Sequence, residues 1–167
     1  GIPQRKNAAM AARSLAEELR MTRPFRTPET EAYLNLARTH DQLHAELNTM
    51  FKRHGLTEQQ YNVLRILRGA GDGGLPSLEI AHRMVTRVPD ITRLVDRMQR
   101  NELVSRRRCD KDRRVVWVEL TPQGRSLAGE LEEPLEAFHR EQMGHLSAEE
   151  LATLNGLLEK VRDRPDR

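Results

Sequence analysis

One stretch of the chain restricts the fold more than any other. Residues 110–124 read DKDRRVVWVELTPQG, which is a charged loop, an alternating valine-rich segment and then Thr121-Pro122. Threonine is a favoured helix N-cap and proline a favoured first helical residue, so a helix should begin at this pair. Residues 103–108 alternate in the same way before the loop. We therefore predict two antiparallel strands, 103–108 and 115–121, joined by a basic loop and followed directly by a helix.

Most of the remaining chain has apolar residues at helical spacing, which predicts a mainly helical protein. Capping signals mark several helix starts, and glycines mark several ends. Proline is tolerated only in the first turn of a helix, so Pro89 places the start of one helix at 86–88. The predicted helices run from about 8 to 21, from 28 to before Gly55, from 57 to the glycine-rich loop 69–74, from 77 to 84, from about 88 to 101, and onward from 122 and 147.

Only a few residues separate the helices at 77–84 and 88–101, and the second is richer in surface arginine and threonine. This arrangement is typical of a helix-turn-helix. An exposed helix of this kind beside a protruding basic hairpin, or wing, fits two neighbouring grooves of a DNA duplex. The core face of the second helix should hold Ile91, Leu94, Val95 and Met98, and the opposite face Asp90, Thr92, Arg93, Asp96, Arg97 and Arg100.

The charge of the chain is concentrated in this same region. Residues 83–114 hold eleven Lys or Arg against five acids, a net of +6, whereas residues 119–167 hold six against eleven, a net of −5. A basic block between less basic flanks is the footprint of phosphate contact by one part of a fold. The alternative is an ordinary solvated charged face.

Several classes of protein do not fit this sequence. No stretch approaches the roughly 20 apolar residues that span a bilayer, and GIPQRKNAAM lacks the apolar region of a signal peptide. The single cysteine, Cys109, agrees with a reducing compartment, so we expect a cytoplasmic protein without a membrane partner. There is no nucleophile with a base and no recognisable carboxylate pair, so we expect no enzyme, no cofactor and no metal.

The wing should carry an oriented arginine. In extended backbone Asp112 and Arg114 point the same way, so the carboxylate can hold the guanidinium in a fixed fork. In the strand that follows, Val116, Val118 and Leu120 share one face and should anchor the wing. The alternative is that Asp112 and Arg114 form a surface ion pair that merely closes the hairpin.

The order of these parts resembles the MarR family of bacterial transcriptional regulators over about residues 31–162. The likeness is strongest in ITRLVDRMQRNELVSRR and DRRVVWVELTPQG. It implies a mainly α fold with a small antiparallel β-hairpin, in which a winged helix-turn-helix domain joins a helical dimerisation region. The expected parts of this one integrated domain are an extension helix (1–26), a dimerisation helix (27–56), the winged helix-turn-helix region (57–121) and C-terminal dimerisation helices (122–167).

The resemblance also implies a homodimer that acts on double-stranded DNA, as a repressor at a palindromic operator. The helix at 88–101 would enter the major groove and Arg114 of the wing the minor groove. The competing interpretation is a winged-helix module for protein assembly, and salt dependence separates the two, because only duplex binding releases counterions. The expected DNA-binding residues are Thr86, Arg87, Pro89, Asp90, Thr92, Arg93, Arg97, Arg107, Lys111, Asp112, Arg113 and Arg114.

The N-terminal extension resembles the extra helix of some urate- and phenolic-responsive members. A phenolic or urate-like effector is therefore expected, bound between the dimer helices and the DNA-binding lobe. The expected pocket residues are Tyr33, Ala37, His40, His44, Tyr61 and Leu64. One departure from the family concerns Glu102, which stands where glycine is frequent, so Asn101 is expected to take the left-handed turn after the recognition helix.

Two further groups invite a functional interpretation. His40 and His44 have the i, i+4 spacing that can chelate a metal, but no third ligand is evident and structural histidines fit better. Cys109 lies beside Arg107, Arg108 and Lys111, which can favour the thiolate. Since family redox sensors generally keep their reactive thiol in the dimer-side helices, a structural role is favoured for Cys109 as well.

Overall fold

The computed structural model describes residues 12–165, which are mostly helical with a small three-stranded sheet. The predicted fold class is confirmed. The chain divides into two compact units between Leu47 and Asn48, and no helix in the described residues is long and apolar enough to cross a membrane. In chain order the elements are α1 (Leu15–Glu18), α2 (Pro28–Lys52), α3 (Glu58–Ala70), β1 (Leu75–Pro76), α4 (Ser77–Arg83), α5 (Ile91–Arg100), β2 (Val104–Arg108), β3 (Val116–Leu120), α6 (Pro122–Met143) and α7 (Ala148–Arg162).

Three helices begin at the caps that the sequence predicts. The Thr57 hydroxyl accepts from the Gln60 N–H while the Gln60 side chain accepts from the Thr57 N–H, both at 3.1 Å, which forms a capping box at α3. Ser147 makes the same reciprocal pair at α7, and Thr121 accepts from the Gly124 N–H at 3.0 Å to open α6. These hydrogen bonds satisfy N–H groups that lack partners inside the helix.

The observed bounds of α1 and α3 differ from the prediction. The N-terminal helix was expected at 8–21, but α1 covers only Leu15–Glu18, because Ser14 caps it and Arg20 turns the chain with a φ of 53°. The predicted segment 8–11 lies outside the described residues. Helix α3 runs through Gly69 to Ala70 and ends at Gly71, whose φ of 78° suits glycine.

Helix α5 begins later than expected. Asp90 is its N-cap and accepts from the Arg93 N–H at 3.1 Å, so the first helical residue is Ile91. Pro89 therefore precedes the helix, whereas the sequence analysis placed it in the first turn. The cap at Asp90 sets the start of the helix, because its carboxylate accepts a hydrogen bond from an N–H that has no partner inside the helix. A proline in the first turn would only remove one such N–H. Thr86, Arg87 and Pro89 consequently lie in the connection between α4 and α5.

The sheet contains one strand that the sequence did not predict. Its order is β1-β3-β2 with both pairs antiparallel, and Val118 of β3 pairs with Leu75 on one side and Arg106 on the other. The two residues of β1 are too few to show an alternating pattern. Gly74 precedes them with a φ of 71°, and a Cβ there would collide with the Val118 carbonyl.

The core of the second unit lies between α3, α4, α5, the sheet and α6. Val118 is fully buried, as expected for the strand face that anchors the wing, and Leu94 is buried too, whereas Ile91 is only half-buried. Apolar burial of this kind supplies most of the free energy that favours folding. The largest side chains with less than 2% exposure are Phe51, Val63, Leu64, Leu67, Ile80, Val95, Met98, Val104, Val118 and Leu131.

The wing starts and ends at the C-terminus of α5. The Glu102 N–H donates to the Gln99 carbonyl and the Leu103 N–H to the Met98 carbonyl, both at 3.0 Å, which is the Schellman pattern. Glu102 takes the left-handed conformation with a φ of 61°, so the expectation for Asn101 was wrong. Asn101 is the C-cap itself, with a φ of −84°, and the pattern requires the positive φ one residue later.

Replacement of Glu102 by glycine should stabilise the protein. A side chain in the left-handed region costs about 1 kcal/mol, and glycine avoids that cost. We expect Glu102→Gly to raise the free energy of unfolding by about this amount in chemical denaturation. Glu102→Ala keeps the Cβ and is the matched control, so a glycine variant no more stable than the alanine variant would contradict the assignment.

Candidate nucleic-acid interface

The exposed face of α5 carries a stripe of arginines. Arg93, Arg97 and Arg100 follow i, i+4, i+7 spacing, so they share one face opposite the buried Val95 and Met98. The side chain of Arg93 is 81% exposed. Within residues 12–165, Arg97 and Arg100 form no ion pair. Three cations on one open helix face are suited to phosphates and base edges.

The start of α5 positions Arg93. Asp90 caps the helix through one carboxylate oxygen, and its other oxygen lies 3.4 Å from the Arg93 Nε. Thr92 is exposed beside them in the same first turn. Residues in the first turn of a recognition helix are the ones that reach base edges. Asp90, which the sequence analysis placed among the DNA contacts, therefore has a structural role next to Arg93.

The connection before α5 is anchored by a residue that the sequence analysis missed. The Asn62 side chain accepts from the Val85 N–H at 2.8 Å, and Asn62 is only 8% exposed. Asn62 lies in α3, so this hydrogen bond fixes the turn of the helix-turn-helix to the core. The available signal was a small polar residue flanked by Tyr61 and Val63 in a buried helix, but its partner lies far along the chain.

The wing holds the predicted pair of Asp112 and Arg114. The Arg114 Nε donates to Asp112 Oδ1 at 3.1 Å and its Nη2 to Oδ2 at 3.2 Å, so the pair is bidentate. The Arg114 N–H also donates to Asp112 Oδ1 at 3.1 Å. The side chain of Arg114 nevertheless stays 92% exposed. Hydrogen bonds from the Arg114 side chain and backbone lower the pKa of the Asp112 carboxyl, so the carboxylate is ionised at neutral pH.

The tip of the wing is closed by backbone hydrogen bonds. The Cys109 N–H donates to the Val115 carbonyl at 2.9 Å, and the Val115 N–H donates to the Asp112 carbonyl at 3.0 Å. Lys111 and Arg113 are exposed on this loop, and Cys109 is a half-buried free thiol. The structure thus brings Lys111, Asp112, Arg113 and Arg114 together at one protruding tip.

The expected pocket residues fall in both units. In the first unit Tyr33 is 70% exposed, and the rings of His40 and His44 stack at 5.2 Å on α2, which also carries Ala37. Leu64 of α3 is fully buried. Residues 12–165 contain no group of three or more His, Cys, Asp or Glu that could hold a metal ion.

Tyr61 lines a cleft of about 440 Å³ between α3 and α6. Its ring stacks on Phe51 at 5.0 Å, and burial raises the pKa of its hydroxyl, which therefore remains a hydrogen-bond donor. Arg68 crosses the cleft and donates to Glu132 at 2.6 Å. The remaining lining residues are Arg65, Gly69, Ala128, Leu135, Glu136 and His139.

Comparison with known proteins agrees with this geometry. The model of the MarR family matches residues 56–116. The chain is 33% identical over 109 residues to the homoprotocatechuate degradative operon repressor of Escherichia coli, across 65% of this chain and 72% of that protein. The chain belongs to the MarR family. This match confirms the resemblance to the family that the helix and wing motifs indicate. The relatives of the chain are transcriptional regulators.

Two solved MarR-family structures share the fold. A MarR transcription factor from Planctomyces limnophilus is 45% identical and aligns with a TM-score of 0.64 over 81% of this chain and 98% of that one. A mutant MarR from E. coli complexed with operator DNA is 27% identical, with a TM-score of 0.68 over 75% of this chain and 89% of that one. The chain therefore has the winged-helix fold of MarR-type regulators, while DNA binding by this chain and the roles of its individual residues stay predictions.

The ion pair in the wing should be visible by titration. When the pKa of a carboxyl is lower in the folded protein than in the unfolded chain, the group stays ionised at neutral pH and keeps its ion pair. The ion pair is lost as the pH falls through that lowered pKa. We expect the Asp112 carboxyl to titrate below the ordinary aspartate range in pH-dependent NMR, and to return toward that range in Arg114→Ala. An unchanged titration in the variant would show that Arg114 does not hold this carboxylate.

Proposed function

We propose that two copies of this MarR-family chain bind one palindromic DNA duplex as a ligand-responsive repressor. The observation that carries this proposal is the exposed stripe of Arg93, Arg97 and Arg100 on α5, next to a wing whose Arg114 is held by Asp112. A helix in the major groove and an arginine in the adjacent minor groove would together read one half-site. Repression is the role named for the E. coli relative.

The contacts divide by the position of each side chain. Thr92 and Arg93, in the first turn of α5, would face base edges, and Arg97 would extend the contact along the groove. Arg114 would enter the minor groove, where a narrow groove concentrates negative potential. The exposed residues of the turn and the wing tip that carry a hydrogen-bond donor would bind phosphates, which set orientation without reading sequence. These are Thr86, Arg87, Lys111 and Arg113, while Pro89 has no donor and would only touch the DNA backbone.

Loss of the wing arginine should weaken binding without unfolding the protein. We expect Arg114→Ala to lower affinity about tenfold or more for a duplex selected from a random pool by the wild-type protein, as loss of one bidentate contact does. Arg140→Ala, which removes an exposed and likewise ion-paired charge on α6, is the control and should leave affinity nearly unchanged. Affinity is measured by gel-shift titration at several salt concentrations.

Two outcomes would count against this assignment. Equal affinity of Arg114→Ala and the wild type would show that the wing does not read DNA. Duplex binding that does not weaken as salt rises would favour the protein-assembly alternative, because phosphate contact releases counterions.

The second copy is proposed from the apolar surface of the C-terminal helix. Helix α7 has no buried residue in the described chain, although it carries leucine at four positions and Val161. Leu157 is 57% and Val161 58% exposed. An amphipathic helix with an open apolar face requires a cover. A palindromic site rewards a two-fold partner, which makes a second copy of this chain the proposed cover.

Charged residues on this face should separate the copies. We expect the double variant Leu157→Asp/Val161→Asp to sediment as a monomer, because it places carboxylates in an apolar contact. Leu78→Asp is the matched control, since Leu78 is 71% exposed but lies on α4. A double variant that sediments like the wild type would remove α7 from the interface.

The effector is proposed to bind the cleft between α3 and α6. The protonated Tyr61 hydroxyl and Arg65 offer donors to a phenolate, a carboxylate or urate, and Leu135 offers apolar surface. Asn62, which follows Tyr61 in α3, holds the turn before α5. A ligand that moves α3 would therefore shift the recognition helices away from a spacing of about 34 Å, one duplex turn. The α2 residues Tyr33, Ala37, His40 and His44 lie in the first unit and stay predictions as effector contacts.

A thermal-shift screen with phenolic acids and urate tests the effector site. A ligand at 100 times its Kd should stabilise the wild type by about 2.7 kcal/mol. Tyr61→Phe keeps the ring and removes the donor, so it should reduce the shift, whereas Tyr33→Phe should not. A loss confined to Tyr33→Phe would move the site to α2.

The remaining assignments follow from the regulator role. We propose a regulator without catalytic activity, as the names of its MarR-family relatives indicate. We also place it in the cytoplasm, because its single thiol, Cys109, suits a reducing compartment.

A further inference from the structure

Three consecutive arginines in β2 have three different environments. Arg107 points to the outer face, where its guanidinium lies 5.2 Å from the Trp117 ring and its Nε donates to Glu119 at 3.0 Å. Arg108 donates to the Arg113 carbonyl at 2.8 Å and so closes the wing tip. Arg106 shares its face with the buried Val104 and points toward α5. The three guanidinium groups of this strand thus already contact other groups of the protein.

Arg106 makes two contacts with the recognition helix. Its Nε donates to Gln99 Oε1 at 2.6 Å, and its Nη1 lies 2.5 Å from Asp96 Oδ1. Gln99 and Asp96 are three residues apart, so they form adjacent positions on one flank of α5. The side chains of Arg106 and Asp96 are 30% and 36% exposed. One planar guanidinium therefore spans a turn of the helix, which a lysine ammonium does not do.

The contact of Arg106 with α5 lies further along the hairpin than the contacts at the base of the hairpin. The base of the hairpin is already fixed to the end of α5, because Thr121 donates to the Glu102 carbonyl at 2.6 Å and to the Leu103 carbonyl at 3.1 Å. The pairing of β3 with β1 at Trp117 and Val118 holds the hairpin along its other edge. The Arg106 contact is a second attachment to α5, further along the strand and opposite Val118 in the register. Residues 107–117, which include the tip, extend beyond it.

We propose that Arg106 is a positioning residue that sets the angle between the recognition helix and the wing. It holds α5 and the hairpin as one body, so that Arg93 and Arg114 meet neighbouring grooves at the same time. The Arg106 guanidinium forms its ion pair with Asp96 and does not bind a phosphate. The inference rests on the proposed function, since it concerns how the same surface reads DNA.

Removal of Asp96 separates this proposal from simple electrostatics. Asp96→Ala deletes one negative charge close to the duplex, so electrostatics alone predicts tighter binding. The contact of Arg106 with Asp96 and Gln99 is called the brace below. Loss of the brace predicts weaker binding, because the helix and the wing no longer reach both grooves together. Asp110→Ala is the matched control: it removes the same charge from an exposed wing residue that forms no ion pair within residues 12–165. Gln99→Ala tests the second contact without a change of charge.

Binding is measured on two duplexes, one selected from a random pool by the wild-type protein and one of scrambled sequence. We expect Asp96→Ala to bind the selected duplex roughly tenfold more weakly than Asp110→Ala, the loss that one misplaced base contact brings. On the scrambled duplex the two variants should bind alike. Gln99→Ala should lose preference for the selected duplex in the same direction.

Arg106 is compared with an arginine on the open face of the helix. Arg106→Ala should lose affinity for the selected duplex with an unchanged slope of log affinity against log salt. Arg100→Ala should flatten that slope by about 0.9, because a phosphate contact releases a counterion. Thermal melting of each variant checks that it is folded, and if Arg106→Ala fails to fold, Asp96→Ala and Gln99→Ala decide.

The outcomes distinguish the brace from the function on which it rests. If the wild type selects no duplex, the proposed function fails. If the wild type binds and Asp96→Ala binds as tightly as Asp110→Ala, the brace is overturned while the function stands. A flattened salt slope in Arg106→Ala would also overturn it, by making Arg106 a phosphate contact.

Discussion

The wing, the recognition helix and the first C-terminal helix all depend on the hydrogen bonds of Thr121. Its hydroxyl donates to the Glu102 carbonyl and accepts from the Gly124 N–H, and its own N–H donates to the Leu103 carbonyl. One residue thus closes the hairpin, caps α6 and binds the carbonyls of the two residues that follow the C-cap of α5. Gly124 permits this approach, because a Cβ there would collide with the Leu103 carbonyl. The helix-turn-helix and the wing are therefore tied to a helix that also lines the cleft.

The net charge of the basic block overstates the charge that is available to DNA. Arg106, Arg107 and Arg108 all donate to groups of the protein itself, so they shape the wing. Arg97 and Arg100 remain on an open face. A cation that already has an internal partner releases fewer counterions when DNA arrives. The position of an arginine in the fold, more than the composition of the chain, decides whether its guanidinium lies on an open face or bonds to another group of the protein.

Helix α3 links the cleft to the DNA-reading turn. Tyr61 lines the cleft, and the next residue, Asn62, holds the Val85 N–H. Buried neighbours such as Leu64 and Leu67 make this helix part of a close-packed core, which transmits displacement because it has little room to absorb it. A displacement of α3 would therefore reach the connection before α5 through the hydrogen bond of Asn62.

The sequence by itself determined the features whose partners are close along the chain. The caps at Thr57 and Thr121 and the pair of Asp112 and Arg114 span two or three residues, so local spacing suffices to predict them. At Pro89 two local signals competed, and the cap at Asp90 decided the start of α5.

Only the tertiary structure decided the contacts between distant segments. The strand β1 exists because β3 pairs with it, Asn62 finds its partner 23 residues away, and Arg106 reaches back to Asp96 across the end of a helix. No periodicity encodes these partners, because each depends on where the packed core brings two segments together. The sequence therefore established a winged helix with an arginine-rich face, and packing determined which of its arginines lie on an open face and which bond to other groups of the protein.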